Sequence, residues 1–527
     1  MEPIRRTDAG RSHASLVAAG ILLSRVAGLV RDRVFAHYFG NSDAADAFRA
    51  AFRIPNFLQN LFGEGVLSAS FIPVYANLLA RDAREEADRV ASAVFCLLSF
   101  AVSCLVLIGV LATPLLIDAI APGFGGAKRN LTISLVRILF PGAGLLALSA
   151  WCLGILNSHR RFFISYAAPV AWNAVMIASL VGFGGHLRQY PLAKAVAWGS
   201  VAGSALQFGV QLPQVVRLMS RFRASMGFGI ESVQTVVRNF APAFVSRGVV
   251  QISAYVDALI ASFLPTGALS ALTYAQTLYT LPVSLFGMSV SAAELPVLSS
   301  AVGETGEVNL YLRSRLNVGL RQIAFYVIPS AMAFLALGDV IAGAIYQTGR
   351  FTRQDTIYVW AILAGSSVGL LAATLGRLYA SVYYALKDTR TPLWYAALRV
   401  LLTAVLGYVC ALPLPPLLGV DPRWGVVGLT ASAGLCGWIE LVLLRNSLNR
   451  RIGKTGLSVS FVLKLWMAAG SGAVFGWGAK LVMDPGRPIW LAVVSLGLYG
   501  SVYFAVAALL RVSEAIGFIK RIGRVFS

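Results

Sequence analysis

The stretch Leu61-Phe62-Gly63-Glu64-Gly65, preceded by Pro55 and followed by Pro73, recurs in part as Leu285-Phe286-Gly287 followed by Pro296. The offset is 224 for the tripeptide and 223 for the proline, and Ser24-Arg25 recurs as Ser246-Arg247 at 222. Three matches at a nearly constant offset indicate an internal duplication. Two prolines and two glycines around Glu64 also predict a broken, bendable helix with hinges at Gly63 and Gly65. Lipid tolerates such a break only where protein or water covers it. The alternative is close helix packing through the glycines, with Glu64 in a structural ion pair.

Composition says what kind of chain carries this repeat. Of 527 residues, 57% are hydrophobic and 13% charged, with a mean hydropathy of +0.72. Soluble chains are nearer 45–50% apolar and about 25% charged, so this is an integral membrane protein rather than a soluble enzyme with one anchor. The long apolar runs lack period-2 alternation, which argues for a helical bundle over a transmembrane barrel. Runs bounded by charge, glycine or proline place helices near 14–39, 44–79, 90–120, 131–157, 162–184, 192–217, 236–264, 268–300, 308–338, 355–386, 392–411, 424–445, 460–482 and 488–511. The expected fold is an all-α polytopic membrane protein of about fourteen transmembrane helices. Six helices precede the second copy, an even number, so both copies run in the same direction. This gives an N-terminal lobe over 1–217, a cytoplasmic linker over 218–235, a C-terminal lobe over 236–445, and two additional helices with a basic tail over 446–527. Parallel repeats of this kind place a transporter's substrate site where the two lobes meet.

The net charge of +21, from 44 Lys and Arg against 23 Asp and Glu, would suggest a nucleic-acid partner in a soluble protein. Here most of the charge sits in short loops. One set of alternate loops holds twenty-five basic residues and the other nine, a bias expected for cytoplasmic loops and cytoplasmic termini. The remaining ten, Arg25, Arg31, Arg33, Arg49, Arg53, Arg137, Arg247, Arg377, Arg399 and Lys464, fall within spans. Charge at that depth is costly and marks a bundle interior, a water-filled cavity or a pathway. The first apolar run reaches Arg25 too soon for a cleavable signal peptide.

Catalytic chemistry finds little support. The five cysteines (Cys96, Cys104, Cys152, Cys410 and Cys436) lie in apolar segments without C-x-x-C spacing, and the four histidines are scattered. Neither pattern predicts a metal site. Gly123–Gly126 lacks the lysine of a P-loop, so no nucleotide use and no cofactor are expected, and an enzyme is not. The energy source is then the membrane potential or a Na+ or H+ gradient.

Three constellations remain. Arg25, Arg31, Asp32, Asp46, Arg49, Arg53 and Glu64 crowd the first two helices. Arginine forks suit phosphate oxygens, and several around a low-dielectric cavity would hold a diphosphate strongly. Gly28 lies between Arg25 and Arg31 as a potential hinge. Against this, Arg31 and Arg33 can snorkel or pair with Asp32. Asp257, ten residues after Arg247, is either an ion-pair partner or a coupling-cation site. Asp388 reads as a loop residue or a helix cap.

With Ser24-Arg25-Val26-Ala27-Gly28, Arg31-Asp32, Ala45-Asp46-Ala47-Phe48, Pro55-Asn56, Phe62-Gly63-Glu64-Gly65, Phe71-Ile72-Pro73, Ala121-Pro122-Gly123-Phe124, Ile155-Leu156-Asn157, Ala168-Pro169 and Gly349-Arg350-Phe351-Thr352, the chain closely resembles the lipid II flippase family (MurJ, also called MviN) along essentially its whole length. That family belongs to the multidrug/oligosaccharidyl-lipid/polysaccharide exporter superfamily. The resemblance implies two pseudo-symmetric six-helix lobes in a V around a cationic cavity, and two C-terminal helices lining a groove for the undecaprenyl tail. It implies that lipid II is flipped from the cytoplasmic to the outer leaflet of the inner membrane by alternating access. An exporter of another polyprenyl-diphosphate-linked glycan is the alternative. Lipid II, membrane lipids and cell-wall synthesis proteins are the implied partners. Arg25, Arg31, Asp32, Asp46, Arg53 and Glu64 match positions the family uses in or around its cavity. The chain departs from the pattern at Gln59-Asn60 and at Gln276-Thr277, where basic residues are common in the family. Arg247, the repeat counterpart of Arg25, is expected to compensate.

The loop bias makes a topological prediction. Alkaline phosphatase fused after Gly125 should be active, and fused after Arg223 inactive; the reverse pattern would invert the orientation.

Overall fold

The computed structural model describes residues 8–62, 66–67, 70–219, 221–299, 305–483 and 486–518. Among them, regular structure is helical, with one isolated antiparallel bridge between Thr348 and Phe351. Packing divides the chain into two compact units, residues 1–269 and 270–527.

The first unit contains α1 (Asp8–Phe39), α2 (Asp43–Phe62), α3 (Ile72–Ala80), α4 (Arg84–Leu111), α5 (Thr113–Ile120), α6 (Gly126–Ser158), α7 (Phe162–Gly184), α8 (Gln189–Leu218) and α9 (Glu231–Ser262). Between α1 and α2, Gly40 takes the positive φ of 56° that a tight reversal requires. The chief packing pairs are α6 with α8, α2 with α6, α1 with α7, and α7 with α8. The core gathers Phe71 and Tyr75 from the start of α3, Val90 and Val94 from α4, and Trp151 and Ile155 from α6. Polar groups buried between α6 and α8 satisfy one another: Ser149 Oγ donates to Gln211 Oε1 at 2.7 Å and accepts from Gln207 Nε2 at 3.0 Å. Such bonds hold helices together where lipid supplies no hydrophobic drive. The sequence reading gives α9 to the second lobe. In the structure α9 packs on α2 and α4, so the packing boundary falls after it, whereas a repeat boundary follows the duplication.

The second unit contains α10 (Ala268–Pro282, which begins at the boundary), a π-helical turn (Val283–Met288), α11 (Ser289–Ser299), α12 (Thr305–Tyr346), α13 (Arg353–Ser367), α14 (Leu370–Ala385), α15 (Arg390–Ala411), α16 (Leu414–Leu417), α17 (Gly425–Ile452), α18 (Val459–Val482) and α19 (Pro488–Leu509). Here α15, α13 and α14 pack on α17, while α18 and α19 pack on each other and on α12. Asp388 acts as the cap. Its Oδ1 accepts the Arg390 and Thr391 amides, both at 3.0 Å, and its Oδ2 lies 2.8 Å from Arg451. The bond from the Thr391 amide is the largest of the effects that hold this carboxyl down at about 2.

Every expected span corresponds to a described helix or helix pair, but several are interrupted. The expected helix 44–79 is broken by a turn at Phe71, with Pro73 in the first turn of α3. The expected helix 90–120 breaks at Ala112, and that over 268–300 carries its π turn on Leu285-Phe286-Gly287, the second copy of the repeated motif. The count of fourteen is not reached on length and apolarity. Among the described residues nine helices qualify, or ten if α13 and α14, bent by 43°, form one span. The helices that fall short are α1, α2 and α9, which hold six of the ten intramembrane basic residues, and α8, which is rich in Gln, Gly and Ser.

Pro329 lies inside α12 and cannot donate to the Phe325 carbonyl one turn earlier. Tyr503 of α19 fills that vacancy, its hydroxyl donating to Phe325 O at 2.6 Å, and Tyr499 donates to Pro329 O at 2.6 Å. Lys480 of α18 reaches Asp339 of α12 at 2.6 Å. The two C-terminal helices are thus fastened to α12 by polar bonds as well as by packing. Tyr503→Phe removes one donor and leaves a buried carbonyl unsatisfied, so it should destabilise the protein by about 1–3 kcal/mol. Thermal unfolding of the purified protein measures this, and an unchanged Tm would mean that the carbonyl finds another donor.

Candidate functional site

Asp32 in α1 and Arg49 in α2 lie at similar distances from the Gly40 reversal, so the antiparallel helices bring them together. Asp32 Oδ1 lies 3.1 Å from Arg31 Nη2 and 3.3 Å from Arg49 Nη2. The three side chains are only 7%, 19% and 11% exposed, in the order Asp32, Arg31, Arg49. Two guanidinium groups therefore share one buried carboxylate. Arg31 also donates to Asn173 Oδ1 at 3.1 Å and lies 5.0 Å over the Trp172 ring, while Arg49 lies 4.6 Å over Phe35. These contacts hold the planar groups in fixed orientations.

The charges continue along α2. Arg53 is one turn beyond Arg49 on the same face, and its carbonyl accepts from Tyr255 of α9 at 2.6 Å. Asp257, one half-turn further along α9, interacts electrostatically with Arg53. Arg31, Asp32, Arg49, Arg53 and Asp257 form a row across α1, α2 and α9 with a net charge of +1. Arg25 lies two turns before Asp32, a spacing that returns to the same helix face, and is exposed. Between them α1 runs unbroken through Gly28, above which a Cβ would meet nothing within 4 Å.

Asp46 sits elsewhere. Its Oδ2 lies 2.8 Å from Lys128 Nζ and accepts the Gly267 amide at 2.8 Å. Lys128 also reaches Asp43 at 3.1 Å and stacks over Phe124 at 4.3 Å. This arrangement latches the N-terminus of α2 to α6 and to the loop after α9. Among the departures, Thr277 donates to the Thr273 carbonyl of its own helix at 3.0 Å. Glu64, Gly63 and Gly65 lie outside the described residues, as do the side chains of Arg247, Gln59 and Asn60. Among the described residues no three His, Cys, Asp or Glu side chains are placed to hold a metal.

The sequence reading missed Trp172 and Asn173. Their signal is weak: they follow Pro169, whose carbonyl accepts from Asn173 Nδ2 at 3.0 Å. Trp172 is seated by its Nε1 bond to Ser200 O and by Gly203, where any Cβ would collide with the indole.

The family model for "Lipid II flippase MurJ" matches residues 35–495. The chain belongs to the lipid II flippase MurJ family. A lipid II flippase MurJ of Burkholderia cenocepacia is 31% identical over 448 residues, covering 83% of this chain and 84% of that protein. A probable lipid II flippase MurJ of Vibrio cholerae is 30% identical over 489 residues, 90% of each. A solved structure of lipid II flippase MurJ in an inward closed conformation is similar at a TM-score of 0.76 and 25% identity, covering 94% of this chain and 98% of that one. An inward-facing multidrug MATE transporter shares the fold at a TM-score of 0.66 and 16% identity, covering 81% and 94%. The apolar helices and the MurJ family together make this a multi-pass protein of the bacterial inner membrane and a transporter rather than an enzyme.

Asp32→Ala should remove the carboxylate that Arg31 and Arg49 share. Breaking a buried pair in this way costs about 3 kcal/mol. The expected result is a lower Tm in detergent, partly restored in the Asp32→Ala/Arg49→Gln double variant. An unaltered Tm in the single variant would show that Asp32 does not hold the pair.

Proposed function

We propose that this chain moves lipid II from the cytoplasmic to the outer leaflet by alternating access, with both termini in the cytoplasm. Membership of the MurJ family over residues 35–495 supports the substrate. The observation that carries the chemistry is the convergence of Arg31 and Arg49 on Asp32, which holds two guanidinium groups side by side in fixed orientations. A diphosphate offers oxygens that such groups bind by charge-assisted bonds, while its isoprenoid tail stays in lipid. Arg25, exposed on the face of Asp32, extends the positive surface. The return of the emptied transporter would draw on the membrane potential or a cation gradient. A unit charge crossing the full potential gains roughly 2.3 kcal/mol per 100 mV.

The test is complementation of a bacterium depleted of its own lipid II flippase, with outer-leaflet lipid II quantified. Wild type should rescue, and Arg31→Ala should lose flipping by at least about tenfold at unchanged abundance, the size expected for one charge-assisted bond. Arg247→Ala should also lose flipping if it compensates for the absent cations at Gln59, Asn60 and Thr277. Correct insertion without rescue would point to a different polyprenyl-diphosphate-linked glycan.

A further inference from the structure

The second unit holds intramembrane charges that the row in the first unit does not involve. Arg399 of α15 lies 3.2 Å from Glu440 of α17, and Glu440 also feels Arg377 of α14. Tyr279 of α10 interacts electrostatically with both arginines. The place where these helices cross is set by Gly369 and Gly434, since a Cβ on Gly369 would collide with the Gly434 backbone. That close approach brings Glu440 of α17 toward Arg377 of α14.

The charges do not balance. Two guanidinium groups face one carboxylate, which lies directly against Arg399. Arg377 is exposed, and among the described residues its side chain has neither an ion pair nor a hydrogen bond. It lies seven residues from one end of α14 and eight from the other, and Arg399 lies nine from the nearer end of α15. At 1.5 Å per residue both sit more than about 10 Å inside their helices. Arg399 lies in an apolar span, and Arg377 in the bent helix pair that passes the same test. An exposed guanidinium group within a span marks a water-filled cavity or a pathway, where it can take an anion.

We infer that Arg377, positioned beside the Arg399–Glu440 pair and Tyr279, is a second anion-binding site, which takes a phosphate oxygen of a lipid-linked diphosphate. The inference rests on the flippase reading and adds to it a residue in the second unit. Glu440 keeps the cluster from holding two uncompensated charges when empty, and its attraction for Arg377 weakens the hold on the ligand enough to permit release.

The test is equilibrium binding of radiolabelled undecaprenyl diphosphate to the full-length protein in nanodiscs of neutral lipid. Arg377→Gln should weaken binding at least about tenfold, Arg377→Lys less, and Glu440→Gln should tighten it several-fold. Each variant is accepted only with a wild-type Tm. Competition by inorganic pyrophosphate would support recognition of the diphosphate itself, whereas equal displacement by phosphatidylglycerol would make this a general headgroup site and overturn the proposal. Wild-type affinity in Arg377→Gln, or no tightening in Glu440→Gln, would also overturn it. The flippase reading fails separately, through lack of complementation by the wild type.

Discussion

A charged group inside a bilayer must bring its own solvation, and the first unit is organised around that requirement at Asp32. Asp32 takes Arg31 and Arg49 on one carboxylate oxygen, so that three charged side chains are buried together rather than singly. The Gly40 reversal, the rings of Phe35 and Trp172 and the amide of Asn173 are the fittings of this arrangement. One carboxylate oxygen thus serves two guanidinium groups while all three side chains stay largely buried.

The same rule governs the backbone. In α12, Pro329 removes a donor from the Phe325 carbonyl, and a tyrosine hydroxyl from α19 replaces it. At the N-terminus of α2, Asp46 ties the Lys128 ammonium group and the Gly267 amide together. Water would satisfy such groups at little cost in a soluble protein. In lipid each needs a protein partner, so helix breaks and polar cross-links occur together. The latch at Asp46 and the row at Asp32 also divide two acidic residues of similar sequence setting into different roles: one fastens a helix N-terminus to a lysine and a backbone amide, the other joins two arginines.

The all-helical membrane fold and the crowding of charge in the first two helices could be read from the chain directly. Apolar runs of about twenty residues admit few other structures in lipid. Helix interruptions were less legible. Leu285-Phe286-Gly287 was visible as a repeat, but neither its π turn nor the close approach of Gly287 to Thr374 of α14 was. The compact units likewise differ from the duplicated halves, because α9 packs on α2 and α4 whatever its ancestry.

For the site, residue types and spacing along α1 and α2 were sufficient to single out Arg25, Arg31, Asp32, Arg49 and Arg53, since charge at membrane depth is conspicuous in a sequence. Which charges meet was decided by tertiary structure. Arg31 and Arg49 converge on Asp32 because of a helix reversal, and Asp257 joins Arg53 because α9 lies along α2. Trp172 and Asn173 carry no mark in the sequence that separates them from ordinary membrane-helix residues, whereas Glu440, a carboxylate within an apolar run, was visible there but without its partner. Composition and periodicity determine that a segment lies in the membrane, because burial in lipid is a property each helix has by itself. Pairing between helices is a property of their packing, and only the folded chain expresses it.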